Sequence, residues 1–117
     1  MQDLKKRLFQ FAVDVAGLIQ QLPKSTVNNA YCNQLVRSPS SPGTNYRAAL
    51  QGKSTADYIN KLKIVEEELD ESPYFLQLLR YFNPDDRAQI ETLIKESDEH
   101  IAITVSAIKT SRSNAKR

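Results

Sequence analysis

One cysteine, Cys32, is too few for an internal disulfide and fits a reducing compartment. One histidine, His100, excludes the paired Glu-x-x-His motifs of di-metal helical bundles. The three glycines form no phosphate-binding loop, and three Gly with five Pro supply too few turns for an all-β sandwich. No apolar run approaches the roughly 20 residues that span a bilayer. The charged stretch 1–10 leads into no apolar leader segment. A cytoplasmic chain working away from membranes is therefore expected. Sixteen basic against fourteen acidic side chains leave +2, too near neutral to name a partner.

What is present is helical patterning in a chain of 117 residues, 40% apolar and 26% charged, enough for one core. Leu4, Leu8, Phe11, Val15, Leu18 and Leu22 alternate spacings of 4 and 3, which keeps one stripe on a helix and suits coiled-coil-like crossing. Asp3 caps its start and Pro23 lies just past its end. Val27, Tyr31, Gln34 and Leu35 predict a second helix over about 26–37. The run Ser38-Pro39-Ser40-Ser41-Pro42-Gly43 then predicts a break or strong kink, because each proline removes an amide donor. A short helix through Tyr46, Ala49 and Leu50 follows, stopped near Gly52.

Ser54-Thr55-Ala56-Asp57 is a weak capping box. The third stripe, Tyr58, Leu62, Val65, Leu69, Ser72, Leu76 and Leu79, keeps phase to about Phe82 across Pro73, so a kink is expected there; two helices meeting at Ser72 is the alternative. Asn83-Pro84-Asp85-Asp86 starts the fourth helix, with Asn83 as cap and two carboxylates at the positive dipole end. Its stripe is Ile90, Ile94, Ser97, Ile101, Thr104 and Ile108. The expected fold is an all-α, up-and-down antiparallel four-helix bundle over 1–110, with a flexible basic tail at 111–117.

Some apolar residues exceed what one core needs. The first helix carries a second row, Phe9, Ala12, Val13, Ala16 and Ile19; the third carries Ile59, Ile64, Tyr74, Phe75 and Leu78 outside its stripe. Burial on a second side by self-association is the economical explanation, with Phe9, Val13, Ala16, Tyr74 and Phe75 as interface candidates. The competing explanation is a wide core stripe with scattered surface aliphatics.

Catalysis finds little footing, and no catalytic residue, metal or cofactor is expected. Glu96 and His100 flank the Ile94–Ser97–Ile101 stripe, which predicts an exposed ion pair. Cys32 lacks any neighbour that lowers a thiol pKa and is expected to be a small semi-buried side chain. Ser40, Ser41 and Ser54 fall at turns and caps. Charge, by contrast, is segregated: residues 1–63 carry +6, residues 64–99 carry −8, and the remainder +4. Basic residues of the first helix, hinge and tail either meet on one face to bind phosphates, or pair with the acidic segment of the same or a neighbouring subunit. Lys5, Lys6 and Arg7 crowd the positive end of a helix, where each costs a few tenths of a kcal/mol.

The block Asn33-Gln34-Leu35-Val36-Arg37-Ser38, Ser41, Asn45-Tyr46-Arg47-Ala48-Ala49, Lys53-Ser54 and Asp57 through Ile64, then Glu67 through Ser72 and Tyr74-Phe75-Leu76, resembles the "four helix bundle protein" family. That family includes proteins encoded in ribosomal-RNA intervening sequences and accessory variability proteins of diversity-generating retroelements. The resemblance covers roughly residues 9–79. It implies a homo-oligomer, a ring-like pentamer, that binds structured RNA or DNA, with a reverse transcriptase as partner in the retroelement branch. Ala48 stands where the family usually carries a glutamate, which removes a carboxylate from beside Arg37 and Arg47. Pro39 and Pro42 fall in what is normally a more continuous helix. The candidate phosphate contacts are Arg37, Arg47, Lys53, Lys61 and Lys63, with Arg37 and Asn45 also readable as structural residues bonding across the hinge. The alternative function is a protein-docking scaffold whose charge serves solubility alone.

Overall fold

A computed structural model describes residues 3–115, apart from the side chains of Pro39 and Ser40; Lys116 and Arg117 of the expected tail lie outside the described residues. Six α-helices follow in chain order: α1 (Leu4–Gln21), α2 (Thr26–Leu35), α3 (Arg37–Leu50), α4 (Thr55–Leu69), α5 (Glu71–Phe82) and α6 (Arg87–Ala115), with a 3-10 turn at Pro84–Asp86 before the last. Among the described residues there is no strand. α2 runs into α3 through Val36 alone, and α4 into α5 through Asp70 alone, both residues keeping right-handed helical dihedrals. The six helices therefore make four rods in a body of 52 × 20 × 20 Å.

Both joints have one cause. A proline at the third position of the downstream helix offers no N–H to the carbonyl four residues back. Pro39 leaves the Leu35 carbonyl without its helical donor, and the Ser38 hydroxyl donates to it at 3.1 Å instead. Pro73 does the same to Leu69, and the chain bends at Asp70. The kink near Pro73 is thus present, displaced one turn upstream. The interruption expected at Ser38–Gly43 is likewise at Val36, and helix runs straight through Pro42 and Gly43.

Layering shows the antiparallel order. One core cluster joins the end of α1 (Val15, Leu18, Leu22) to α2 (Cys32, Leu35), the end of α5 (Leu76, Leu79) and the start of α6 (Ile90, Leu93). Another joins the start of α1 (Leu4, Leu8) to the end of α4 (Val65, Leu69), with Tyr46 of α3 and Ile101 and Ile103 of α6 packed against it. A third seals that end with Ala49, Leu62 and Ile108. Each leucine buried this way contributes about 1.5–3 kcal/mol. The stripes expected on α1 and on α4–α5 are all buried except half-buried Tyr58.

Local chemistry sets the ends. Asp3 accepts from the Lys5 amide (3.1 Å), Ser25 from Asn28 (3.0 Å) and Ser54 from Asp57 (3.1 Å). Gly52 sits in the tight passage from α3 to α4, where a Cβ would lie 3.0 Å from the Ala49 carbonyl oxygen and 3.1 Å from Asp57 Oδ2. Asn83 differs from expectation: its side chain makes no cap bond to the turn and helix that follow. Instead Asn83 and Asn28 exchange amide hydrogen bonds at 2.8 and 2.9 Å, and Asn83 also donates to the Leu79 carbonyl, Asn28 to that of Pro23. On α6 the buried row is Ile90, Leu93, Ser97, His100, Thr104 and Ile108, not the row through Ile94 and Ile101. α6 continues to Ala115, about 43 Å of helix.

Candidate functional site

The start of α1 and the second half of α3 border a shared groove. Asp3 at the cap of α1, Lys5, Lys6, Phe9 and Gln10 of α1 and Arg47 of α3 line it. It continues over Leu8, Ala12, Gly43 and Thr44, so small residues form much of its floor. Phe9 is 61% exposed, far more than a core phenylalanine. Three cations thus meet around one exposed ring. Arg47 comes from the expected set; Lys5 and Lys6 do not. The signal for them was three cations crowded at the wrong end of a helix dipole, but only the packing of α1 on α3 brings Arg47 to them.

Arg7 turns the other way. Its Nη2 donates to Glu96 at 2.9 Å and to Glu99 at 2.7 Å, and its Nε also donates to Glu96 at 3.1 Å. The paired carboxylates raise the Arg7 pKa, Glu96 foremost and against the opposing effect of burial. The same Glu96 oxygen accepts from His100 Nε2 at 2.8 Å. His100 is fully buried, its ring edge-on to Phe11 at 5.2 Å between centroids, so the exposed pair expected there is in fact an internal network. With Nε2 donating, Nδ1 faces the core without a partner.

The other expected cations are dispersed. Arg37 is exposed at the first position of α3, ten residues and about 15 Å of helix from Arg47. Lys61 pairs with Asp57 at 3.2 Å. Lys53 lies in the α3–α4 turn, its amide donating to Asp57 at 3.3 Å, and Lys63 is exposed on α4. Asn45 is structural, but its bond joins α3 to α4 rather than crossing the Val36 joint: it donates to Glu68 of α4 at 2.6 Å, and the Ser41 hydroxyl donates to the same carboxylate. Cys32 is buried, and that burial pushes its thiol pKa up, away from a nucleophile.

The surplus apolar residues fall in two places. Val13, 48% exposed, borders a groove between α1 and α6, whereas Phe9 borders the α1–α3 groove, so the second row of α1 divides between two faces. On the α2–α5 face the rings of Tyr74, Phe75, Tyr31, Phe82 and Tyr81 follow one another at centroid distances of 5.3, 6.4, 6.2 and 5.1 Å. α2 contains no charged residue and α5 only Glu71 and Arg80. Among the described residues no cluster of three His, Cys, Asp or Glu is placed to hold a metal, and no helix is long and apolar enough to cross a membrane.

Among proteins with curated descriptions, none is significantly similar to the chain. A crystal structure of a protein with unknown function from the S23 ribosomal protein family of Bacteroides thetaiotaomicron VPI-5482 superposes with a TM-score of 0.80 at 32% identity, over 92% of this chain and 99% of that one. The family model for 23S rRNA-intervening sequence proteins matches residues 2–106, which takes in the groove, the Glu68 contacts and the His100 network. By that match over nearly its whole length, the chain belongs to the 23S rRNA-intervening sequence protein family.

Proposed function

We propose that this protein is a non-enzymatic helical scaffold that binds structured nucleic acid by its phosphates. The observation that carries the reading is the convergence of Lys5, Lys6 and Arg47 on one groove, while the neighbouring Arg7 is already neutralised by Glu96 and Glu99. Three cations share this groove with a single carboxylate, Asp3, and the excess positive charge raises the local potential and favours a polyanion. Arg37, Lys53 and Lys63, all exposed, lie apart from this groove on α3, the α3–α4 turn and α4. The family's name connects it with ribosomal-RNA intervening sequences, which makes a folded RNA the first ligand to test. The protein acts as several copies associated through the Val13–Ala16 edge of α1 and the aromatic face of α5 at Tyr74 and Phe75.

The test is a polarisation titration of a labelled RNA hairpin at several salt concentrations. Three phosphate contacts on duplex give a slope of log affinity against log salt near −2.7. Lys5→Ala, Lys6→Ala and Arg47→Ala each flatten that slope by about 1. Absence of binding at low salt, or binding that ignores salt, rejects the reading in favour of a protein-docking scaffold.

A further inference from the structure

Resting on the nucleic-acid reading above, we propose that the α1–α3 groove takes an unpaired nucleobase of the RNA, stacked on Phe9, with the flanking phosphates on Lys5, Lys6 and Arg47. A site for phosphates alone needs no apolar ring, yet Phe9 stands 61% exposed among the three cations. A site for an apolar protein segment is poorly served by three cations facing one carboxylate, Asp3, since two of them would have to shed water without a counter-charge. A nucleotide satisfies both: its base has a flat apolar face and its backbone a charge on each side.

The groove's construction agrees. Ala12 and Gly43 keep side-chain bulk off its floor, and even a Cβ added to Gly43 would only just reach Leu8, at 4.0 Å. Phe9 and Arg47 border this slot from different helices, and a phenyl ring and a guanidinium are the two kinds of flat group on which bases stack. A base held within a duplex cannot enter, because its faces are already stacked. The ligand is therefore an RNA with a loop, bulge or end, rather than uniform helix.

The experiment compares a hairpin carrying an unpaired loop with a blunt duplex of equal phosphate number, by polarisation at low salt, on wild type, Phe9→Leu and Phe9→Tyr. One stacked base gives the hairpin an advantage of about tenfold. Phe9→Leu removes that advantage and leaves duplex affinity and salt slope unchanged; Phe9→Tyr retains it. Equal wild-type affinities for the two RNAs, or a hairpin preference that survives Phe9→Leu, overturn the stacking proposal while phosphate binding stands. A Phe9→Leu protein of altered sedimentation mass also overturns it, since the ring would then lie between copies. Failure of both RNAs to bind overturns this proposal together with the reading beneath it.

Discussion

His100 is a titratable side chain with no exposed surface. Burial, the dominant influence, lowers its pKa from the usual 6.5, despite the opposing pull of Glu96. The unfolded chain therefore takes up a proton near pH 6.5 that the fold resists, so stability is complete above that pH and declines as pH falls toward the lower folded value. Glu96 behaves separately. Burial pushes its carboxyl pKa up, but hydrogen bonds from Arg7 and His100 outweigh this and hold it below the usual 4.5. Its share of stability is present above 4.5 and lost only below it. Between those limits, of the two, only His100 titrates, and the groups around it are Arg7 from α1 and Glu96 and Glu99 from α6. The unfolding free energy from urea titrations is expected to fall between pH 7.5 and 5.5, by at most about 1.4 kcal/mol per pH unit. His100→Gln keeps a donor for Glu96 but cannot titrate: it costs about 1–3 kcal/mol in lost packing on Phe11 and abolishes the slope. A slope unchanged in that variant, followed by urea unfolding at both pH values, would show that another group titrates. Sequence patterning missed this residue for a physical reason. A 4-3 spacing through Ile94 and Ile101 is as regular as a 3-4 spacing through Leu93 and His100, and isoleucine outweighs histidine on any apolar scale. What makes His100 tolerable inside is Glu96, held by Arg7 from a helix 89 residues away in sequence.

At the scale of elements, the rods were legible where one face of a helix meets the whole core. The stripes of α1 and α4–α5 carry large apolar side chains at nearly every inward position, Ser72 being the buried exception, so hydropathy and burial largely agree. α2 was less legible because its inward residues are Asn28, Cys32 and Leu35, while Val27 is 38% exposed. Its placement depends on the Asn28–Asn83 exchange, which ties the start of α2 to the end of α5 across 55 residues. Such a pair is invisible as pattern, because each asparagine alone suits a cap or turn. Asn83→Ala strands the Asn28 carbonyl oxygen and the Leu79 carbonyl in the interior, and is expected to cost about 2 kcal/mol. Asn28→Ala costs a similar amount. The double substitution costs less than the two together, with a coupling of about 1–2 kcal/mol in a denaturation cycle. Additive losses would mean that the two amides stabilise their own helices separately.

For the whole molecule, the two proposed surfaces answer oppositely to salt. A rod 20 Å across has a core one side chain deep, and its remaining apolar residues stay outside: Tyr74 is 60% exposed and Tyr81 80%, on a face almost without charge. Association through such a face is driven by expelled water, so added salt leaves it intact or tightens it. Phosphate binding in the α1–α3 groove releases counterions, so raising salt from 100 to 500 mM weakens it on the order of 50–100-fold for three contacts. Sedimentation at both salts is expected to give one mass, a multiple of the 13.3 kDa chain, while polarisation with RNA collapses at the higher. Tyr74→Glu places a charge that must be desolvated in the contact, and is expected to convert the assembly to single chains of unchanged helicity. Such single chains keep Lys5, Lys6 and Arg47 in their groove and so retain the salt slope of one site, with lower affinity because several grooves no longer act on one RNA. An assembly that dissociates as salt rises would instead mean that copies are held by their segregated charges, the acidic 64–99 segment of one against the basic α1 of the next, and that the groove's cations face protein.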